Sequence, residues 1–219
     1  MLEQSNYRRR PPFTLAANFR VPRVAAFFSL AAALALIPGC KFARGYLPAG
    51  AYSTSGTADC LPDITLQDQA GQPVTLSSLK GKPVLIDFIY TSCPGPCLVL
   101  TARMKKIARD LGPKLGREIT LISVTVDPEH DRPRQLADYA REQGASFPGW
   151  YFLTGTPQQI DNVLANFKLK RIKEADGTID HIIDFFMLSP DGHETRVYNP
   201  DEIGPAGITA DVESTFVHG

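Results

Sequence analysis

The sequence has no excess of charge of either sign, and this absence excludes one broad class of function. Its 23 lysines and arginines balance 23 aspartates and glutamates, so the formal net charge at pH 7 is zero. A general nucleic-acid-binding protein carries a basic excess or a basic stripe. We therefore expect no nucleic-acid partner. Any charged partner would have to bind to a local group of charged side chains.

The chain also lacks an apolar run long enough for a comfortable membrane-spanning helix. The uncharged stretch at residues 24–39, VAAFFSLAAALALIPG, falls short of the ~20 apolar residues that such a helix needs. Five arginines precede it, as in the basic start of a secretion signal. We therefore predict that residues 1–39 are a signal peptide or an uncleaved signal anchor. Either one places the domain on the extracytoplasmic side of a bacterial cell envelope, attached to the membrane.

Cysteine is scarce, with four in the chain, and the first two lie before the predicted domain. Cys40 ends the sequence LIPGC, which resembles the lipobox of bacterial lipoproteins and implies lipid attachment at this residue. Residues 40–60 are rich in small and polar residues without apolar periodicity, which predicts a flexible tether. Cys60 has no obvious partner, and both a buried thiol and a mixed or intermolecular disulfide stay open.

Alternating and continuous apolar runs predict the first part of a folded domain at residues 61–200. Two short alternating runs joined through Gly71 predict a hairpin. The continuous apolar runs at residues 84–90 and in EITLISVTV are typical of strands buried on both faces of a parallel sheet. Between them, apolar residues at helical spacing predict a helix over residues 98–111.

Helix-start signals and a final hairpin complete the predicted domain. Asp131 is a plausible N-cap for one helix, and Thr156 with Gln159 forms a plausible capping box for the next. The last two strands turn at Asp191 and Gly192. Strands separated by helices predict a three-layer α/β/α domain with a mixed central sheet and an N-terminal hairpin extension. Residues 201–219 are set apart as a C-terminal tail.

The other two cysteines, Cys93 and Cys97, lie in TSCPGPC between a predicted strand and a predicted helix. Ligands gather where strands of such sheets end, and a helix N-terminus favours thiolate over thiol. We therefore expect an anionic and accessible pair. A structural disulfide is the usual fate of paired cysteines in an exported protein. However, a three-residue loop gains little stability from entropy and lies where reactivity is high.

A strand, a cysteine pair and a helix in this order resemble the thioredoxin superfamily. Three residues separate Cys93 from Cys97, which departs from the Cys-x-x-Cys of thiol–disulfide oxidoreductases and is similar to the Sco/SenC family of copper chaperones. The stretches ISVTVDPEHDRPRQLADYA, WYFLTG and DHIIDFFMLSPDG resemble further parts of that family in the same order. The last of them places His181 at the position of the family's ligand histidine.

The resemblance implies a redox-active copper site and a role in respiratory-oxidase assembly. Cys93, Cys97 and His181 would be the ligands, with Asp87 and Asp127 around them. Two soft sulfurs suit cuprous ion, and an added imidazole suits cupric ion. The implied protein is mainly a metallochaperone that delivers copper, with electron transfer as a further role. Its partners would be the copper-site subunit of a terminal oxidase and a thiol–disulfide reductant.

Asp87 supports an alternative function. It lies in a strand that otherwise reads as buried, and an unpaired buried carboxyl carries a raised pKa. This suggests that Asp87 either takes part in proton transfer or forms a buried ion pair with Lys82 or Lys105. In thioredoxins an acid at the matching place assists proton transfer from the cysteine pair, which favours an extracytoplasmic thiol–disulfide oxidoreductase without metal. Against this alternative, GTIDHIID lacks the proline that thioredoxins place before the final hairpin.

Overall fold

The computed structural model describes residues 61–216 of the chain. The predicted export signal, Cys40 and Cys60 lie outside the described residues. The strands are β1 (Thr65–Gln67), β2 (Pro73–Thr75), β3 (Val84–Ile89), β4 (Thr120–Thr125), β5 (Trp150–Leu153), β6 (Ile172–Lys173), β7 (Ile179–Asp180), β8 (Phe185–Leu188) and β9 (Glu194–Tyr198). The α-helices are α1 (Pro96–Leu111), α2 (Pro133–Glu142), α3 (Pro157–Asn166) and α4 (Pro205–Phe216).

Five strands form one mixed sheet in the order β5-β4-β3-β8-β9. β3 runs parallel to β4 and antiparallel to β8, and β4 runs parallel to β5. Every residue of β3 and β4 is buried, as the mainly apolar sequences of the two strands predict, and this includes Asp87 of β3 and Ser123 of β4. β1 and β2 form the predicted N-terminal hairpin, and β8 and β9 form the final one. The predicted α/β class with a mixed central sheet is confirmed.

Local sequence signals account for α3 but only partly for α1 and α2. The Thr156 side chain accepts the Gln159 N–H and the Gln159 side chain accepts the Thr156 N–H, which completes the predicted capping box. α1 begins at Pro96 rather than at residue 98, so Cys97 belongs to its first turn. The prediction that Asp131 caps α2 is wrong, because the N-cap position is occupied by Arg132 without a side-chain hydrogen bond.

Residues 205–216, within the segment that the sequence sets apart as a tail, form α4. α4 packs on α1, and Ile208 and Val212 are fully buried. Asp211 also pairs with Arg196 of β9 at 2.8 Å. α4 therefore adds to the core beneath the helix that carries Cys97. No helix within residues 61–216 combines the length and apolar character that would let it cross a membrane.

Candidate metal centre

The cysteine pair lies directly after β3, the central strand of the sheet. The Cys93 N–H donates to the Tyr90 carbonyl at 3.3 Å, which turns the chain back toward α1. Cys97 then stands in the first helical turn, where backbone N–H groups have no partner within the helix. Its N–H donates to the Cys93 Sγ at 3.3 Å. Both cysteines are free thiols, and the helix N-terminus is directed at the sulfur of Cys93.

His181 reaches the same place from the segment that follows β7. Its Nδ1 donates to the Ile182 carbonyl at 2.7 Å, and its Nε2 lies 3.7 Å from the Cys97 Sγ. Because Nδ1 carries the hydrogen in this arrangement, the Nε2 lone pair faces the sulfur. Burial lowers the pKa of His181, which favours the neutral imidazole that metals bind. The structure thus brings together three side chains that are up to 88 positions apart in the sequence.

Burial changes the expected state of the cysteines. The two side chains are 7% and 0% exposed for Cys93 and Cys97, so the expectation of an accessible pair is wrong. Burial also raises the pKa of the Cys97 thiol, and its interactions with Cys93 add to that rise. Burial therefore disfavours the expected thiolate at Cys97. A Cys97 thiol can instead donate its hydrogen to the neutral His181 Nε2.

The donor set fits copper. Thiolate sulfur is the ligand that cuprous ion prefers, and imidazole suits both copper states. Bonds of about 2.3 Å to sulfur and about 2.0 Å to nitrogen are ordinary for a first-row ion such as zinc. A Cys97 Sγ to His181 Nε2 distance of 3.7 Å lies within the span of two such bonds. Within residues 61–216, no group of three or more His, Cys, Asp or Glu side chains has the spacing of a formed metal site. The three proposed ligands would therefore have to move closer together to bind an ion.

Asp87 lies inside β3, six positions before Cys93 in the sequence, and is completely buried. Burial raises its pKa from 3.8 to about 7, although the Ser123 hydroxyl opposite it in β4 partly offsets this rise. Neither carboxyl oxygen has a partner within hydrogen-bonding geometry. The expected ion pair is wrong, because Lys82 and Lys105 donate instead to the carbonyls of Gly116 and Gln143. The charge of Asp87 also raises the pKa of Cys97.

Asp127 is buried two residues after β4, at the end of the sheet where the cysteines also lie. Its carboxylate pairs with the His130 Nδ1 at 2.8 Å, and its N–H donates to the Thr125 hydroxyl. In residues 61–216 no hydrogen bond joins Asp127 to either cysteine. Asp127 therefore shapes the loop after β4.

Asp131 has a role that the sequence does not reveal. Its carboxylate accepts the Thr91 N–H at 3.0 Å, the Thr91 hydroxyl at 2.5 Å and the Thr125 hydroxyl at 2.5 Å. These bonds explain why its side chain is not available to cap α2. They tie the start of the cysteine loop to the end of the neighbouring strand. The sequence shows only that an aspartate follows a predicted strand. It does not show that Thr91 and Thr125 are the hydrogen-bond partners of that aspartate.

Tyr90 is a second residue of the site that motif reasoning misses. Its hydroxyl accepts the Ile179 N–H at 3.3 Å, and the edge of its ring meets the His181 ring at a centroid distance of 5.7 Å. It therefore contacts both the cysteine loop and the segment that carries the histidine. In the sequence Tyr90 reads only as the last residue of a buried strand.

The fold and the site together define a thioredoxin-like domain with a cysteine pair and a histidine at one end of its sheet. The chain belongs to the SCO1/SenC family, because that family's model matches residues 53–216. The resemblance drawn from the cysteine spacing and the neighbouring motifs is thereby confirmed.

Three relatives illustrate the match. The chain is 37% identical to the SCO1 protein homolog of Bacillus subtilis over 69% of its own length and 80% of the relative's. The structure of Bradyrhizobium japonicum ScoI with copper bound is similar, with 31% identity, a TM-score of 0.62, and coverage of 71% of this chain and 99% of that one. The structure of BsSco shares 34% identity and a TM-score of 0.62, covering 73% of this chain and 95% of that one. BsSco is described as having a disulfide switch and as a member of the Sco family of cytochrome c oxidase assembly proteins.

Proposed function

We propose that this chain is a membrane-tethered copper chaperone that delivers copper to the copper-site subunit of a respiratory terminal oxidase. In this proposal Cys93, Cys97 and His181 bind the ion, which is cargo. The observation that carries it is the 3.7 Å approach of the His181 Nε2 to the Cys97 sulfur, with the Nε2 lone pair directed at that sulfur. Family membership and the copper-bound relative support the same assignment.

The chemistry of the three side chains suits a carrier that must also release its cargo. Two thiolates can hold cuprous ion with low coordination, and the imidazole adds affinity for cupric ion. Metals bind the deprotonated thiol, and burial raises the pKa of Cys97, so copper binding displaces a proton from this residue. Oxidation of the pair to a disulfide would abolish binding, which allows a thiol–disulfide reductant to act as a second partner.

The location in the cell follows from the segment before the domain. A signal peptide or signal anchor at residues 1–39, with lipid on Cys40, would hold the protein at the extracytoplasmic face of the membrane. Residues 40–60 would be the tether to the domain that carries the copper site, and α4 belongs to that domain because it packs on α1. A flexible tether would let the domain reach a partner in the same membrane.

Titration of the reduced full-length chain with copper tests the proposal. We expect about one copper ion per chain and, with copper(II), a thiolate-to-copper charge-transfer absorption band. The variants His181→Ala and Cys97→Ser should both lose that band. His193→Ala is the matched control, because His193 lies in the turn between β8 and β9, and this variant should keep the band.

A different result would support the second candidate, a thiol–disulfide oxidoreductase, which the partnerless buried carboxyl of Asp87 favours. In that reaction the Cys93 thiolate attacks a partner disulfide and releases one partner thiolate. Cys97 then attacks the mixed disulfide and releases the second, so the partner gains two electrons and two protons while the cysteines become a disulfide. If the wild-type chain binds no copper but reduces a model disulfide, and Asp87→Asn slows that reduction, the copper proposal is wrong.

A further inference from the structure

Tyr90 contacts both halves of the candidate site from the end of β3. Its carbonyl accepts the Cys93 N–H at 3.3 Å, and its hydroxyl accepts the Ile179 N–H at 3.3 Å. Its ring stands edge-on to the His181 ring, with an interplanar angle of 77°. Tyr90, Cys93 and Ile179 are all buried, so the two hydrogen bonds are shielded from water.

The histidine depends on such contacts because its segment lies outside the central sheet. β6 and β7 form a separate two-stranded sheet with only two paired positions, and His181 follows it directly. Beyond the histidine, Ile182 and Ile183 are exposed. Short strands with little burial open more easily than a core sheet. The Tyr90 hydroxyl meets this segment at Ile179, two positions before the histidine.

We propose that Tyr90 is a positioning residue, whose hydroxyl fixes the segment that carries His181 and so sets the approach of the imidazole to the cysteines. This proposal rests on the proposed copper site. The phenol oxygen holds the Ile179 backbone, and the ring limits the rotation of the imidazole. Copper(II) should depend on this contact more than copper(I), because two thiolates alone suffice for the cuprous ion.

The hydroxyl is suited to this role because a phenol can accept one hydrogen bond and donate another. A neutral phenol can accept the Ile179 N–H while its own hydrogen remains available to a sulfur.

The variant Tyr90→Phe tests the proposal, because it removes the oxygen and keeps the ring. In the copper-free full-length chain, we expect faster hydrogen exchange at the Ile179 amide and altered ¹⁵N shifts of the His181 ring. Affinity for copper(II) should fall by about 10-fold, the lower end of the range for groups that orient metal ligands. Affinity for copper(I) should change by less than about 2-fold, because its main ligands are the two sulfurs.

Tyr151→Phe is the matched control, because Tyr151 lies on the edge strand β5 and is only partly buried. It should leave the exchange, the ring shifts and both affinities as in the wild type. Unchanged Ile179 exchange and His181 shifts in Tyr90→Phe would overturn the proposal. If neither the wild type nor the variant binds copper, the proposed function is wrong, and the copper-free measurements still decide the role of Tyr90.

Discussion

The protonation of Asp87 links the stability of the domain to pH. Its carboxyl is completely buried in the central strand, and neither of its oxygens has a partner. Ionising such a group costs free energy, because the charge loses its water and the nearby Ser123 hydroxyl offsets only part of that loss. The pKa of about 7 expresses that cost.

The sign of the pH effect follows from the two states of Asp87. The unfolded chain loses this proton near the ordinary value of 3.8, whereas the folded chain keeps it up to about 7. The folded state therefore holds more protons between these values, and the free energy of unfolding should fall as the pH rises from about 4 to 7. At 1.36 kcal/mol per pKa unit, the total decrease in the free energy of unfolding is on the order of 4 kcal/mol.

Asp87→Asn should remove this pH dependence, because the amide cannot ionise. We expect the variant to match the wild type near pH 4 and to be more stable above pH 7. Urea unfolding can be followed by the fluorescence of Trp150, which is the only tryptophan of the chain and is buried. The exposed residue Asp110 provides the control, and Asp110→Asn should keep the wild-type profile. A wild-type pH profile in Asp87→Asn would contradict the assignment.

At the residue scale, the sequence identifies side chains that belong to continuous motifs. Cys93, Cys97 and His181 stand in recognisable stretches, and the structure brings them together. The roles of Tyr90 and Asp131 could not be predicted, because their key partners are 89 and 40 positions away. Hydrogen bonds of this kind arise only once the strands are placed side by side.

At the scale of elements, the β6–β7 pair is anchored by Arg171, the residue before β6. Its guanidinium donates to Asp161 of α3 at 2.9 Å, and to Glu129 at 2.8 Å and the Val126 carbonyl at 3.0 Å in the loop after β4. The hydrogen bond from Arg171 lowers the pKa of Glu129 to about 2. One side chain thus ties the segment that carries His181 to two neighbouring elements.

Arg171→Met should loosen this segment, because methionine keeps an apolar stem but cannot donate hydrogen bonds. We expect the amide hydrogens of residues 172–181 to exchange about 10-fold faster, while those of β3 and β4 exchange as in the wild type. This change corresponds to a decrease of ~1.4 kcal/mol in the free energy of local opening. Hydrogen exchange resolved by mass spectrometry measures the rates in both regions. Arg134→Met on α2 is the control, because Arg134 is largely exposed and should show no effect. Equal acceleration throughout the central sheet would show a global role for Arg171 instead.

Elements were predictable where their signals are local. The capping box of α3 involves only residues within its first turn, and the structure reproduces it. The apolar spacing places the start of α1 two residues too late, because Pro96 and Cys97 lie outside that pattern although proline suits the first helical position. The sequence of α4 has only a weak helical spacing of apolar residues, and the helix is partly buried because it packs on α1.

At the scale of the whole molecule, two parts of unlike stability meet at the candidate site. The cysteines follow β3, the middle strand of a sheet in which β3 and β4 are wholly buried. The histidine arrives from a short two-stranded pair outside that sheet. A firm thiol pair with a more easily displaced imidazole suits a carrier, because the ion can be held in one state and released in another.

We propose that two sulfurs and one imidazole bind the same copper ion. Copper K-edge X-ray absorption of the full-length chain, loaded with one equivalent of copper(II), identifies the ligand atoms. We expect two sulfur neighbours and an imidazole contribution that disappears in His181→Ala. A shell of nitrogen and oxygen without sulfur, or an imidazole contribution that persists in His181→Ala, would contradict it.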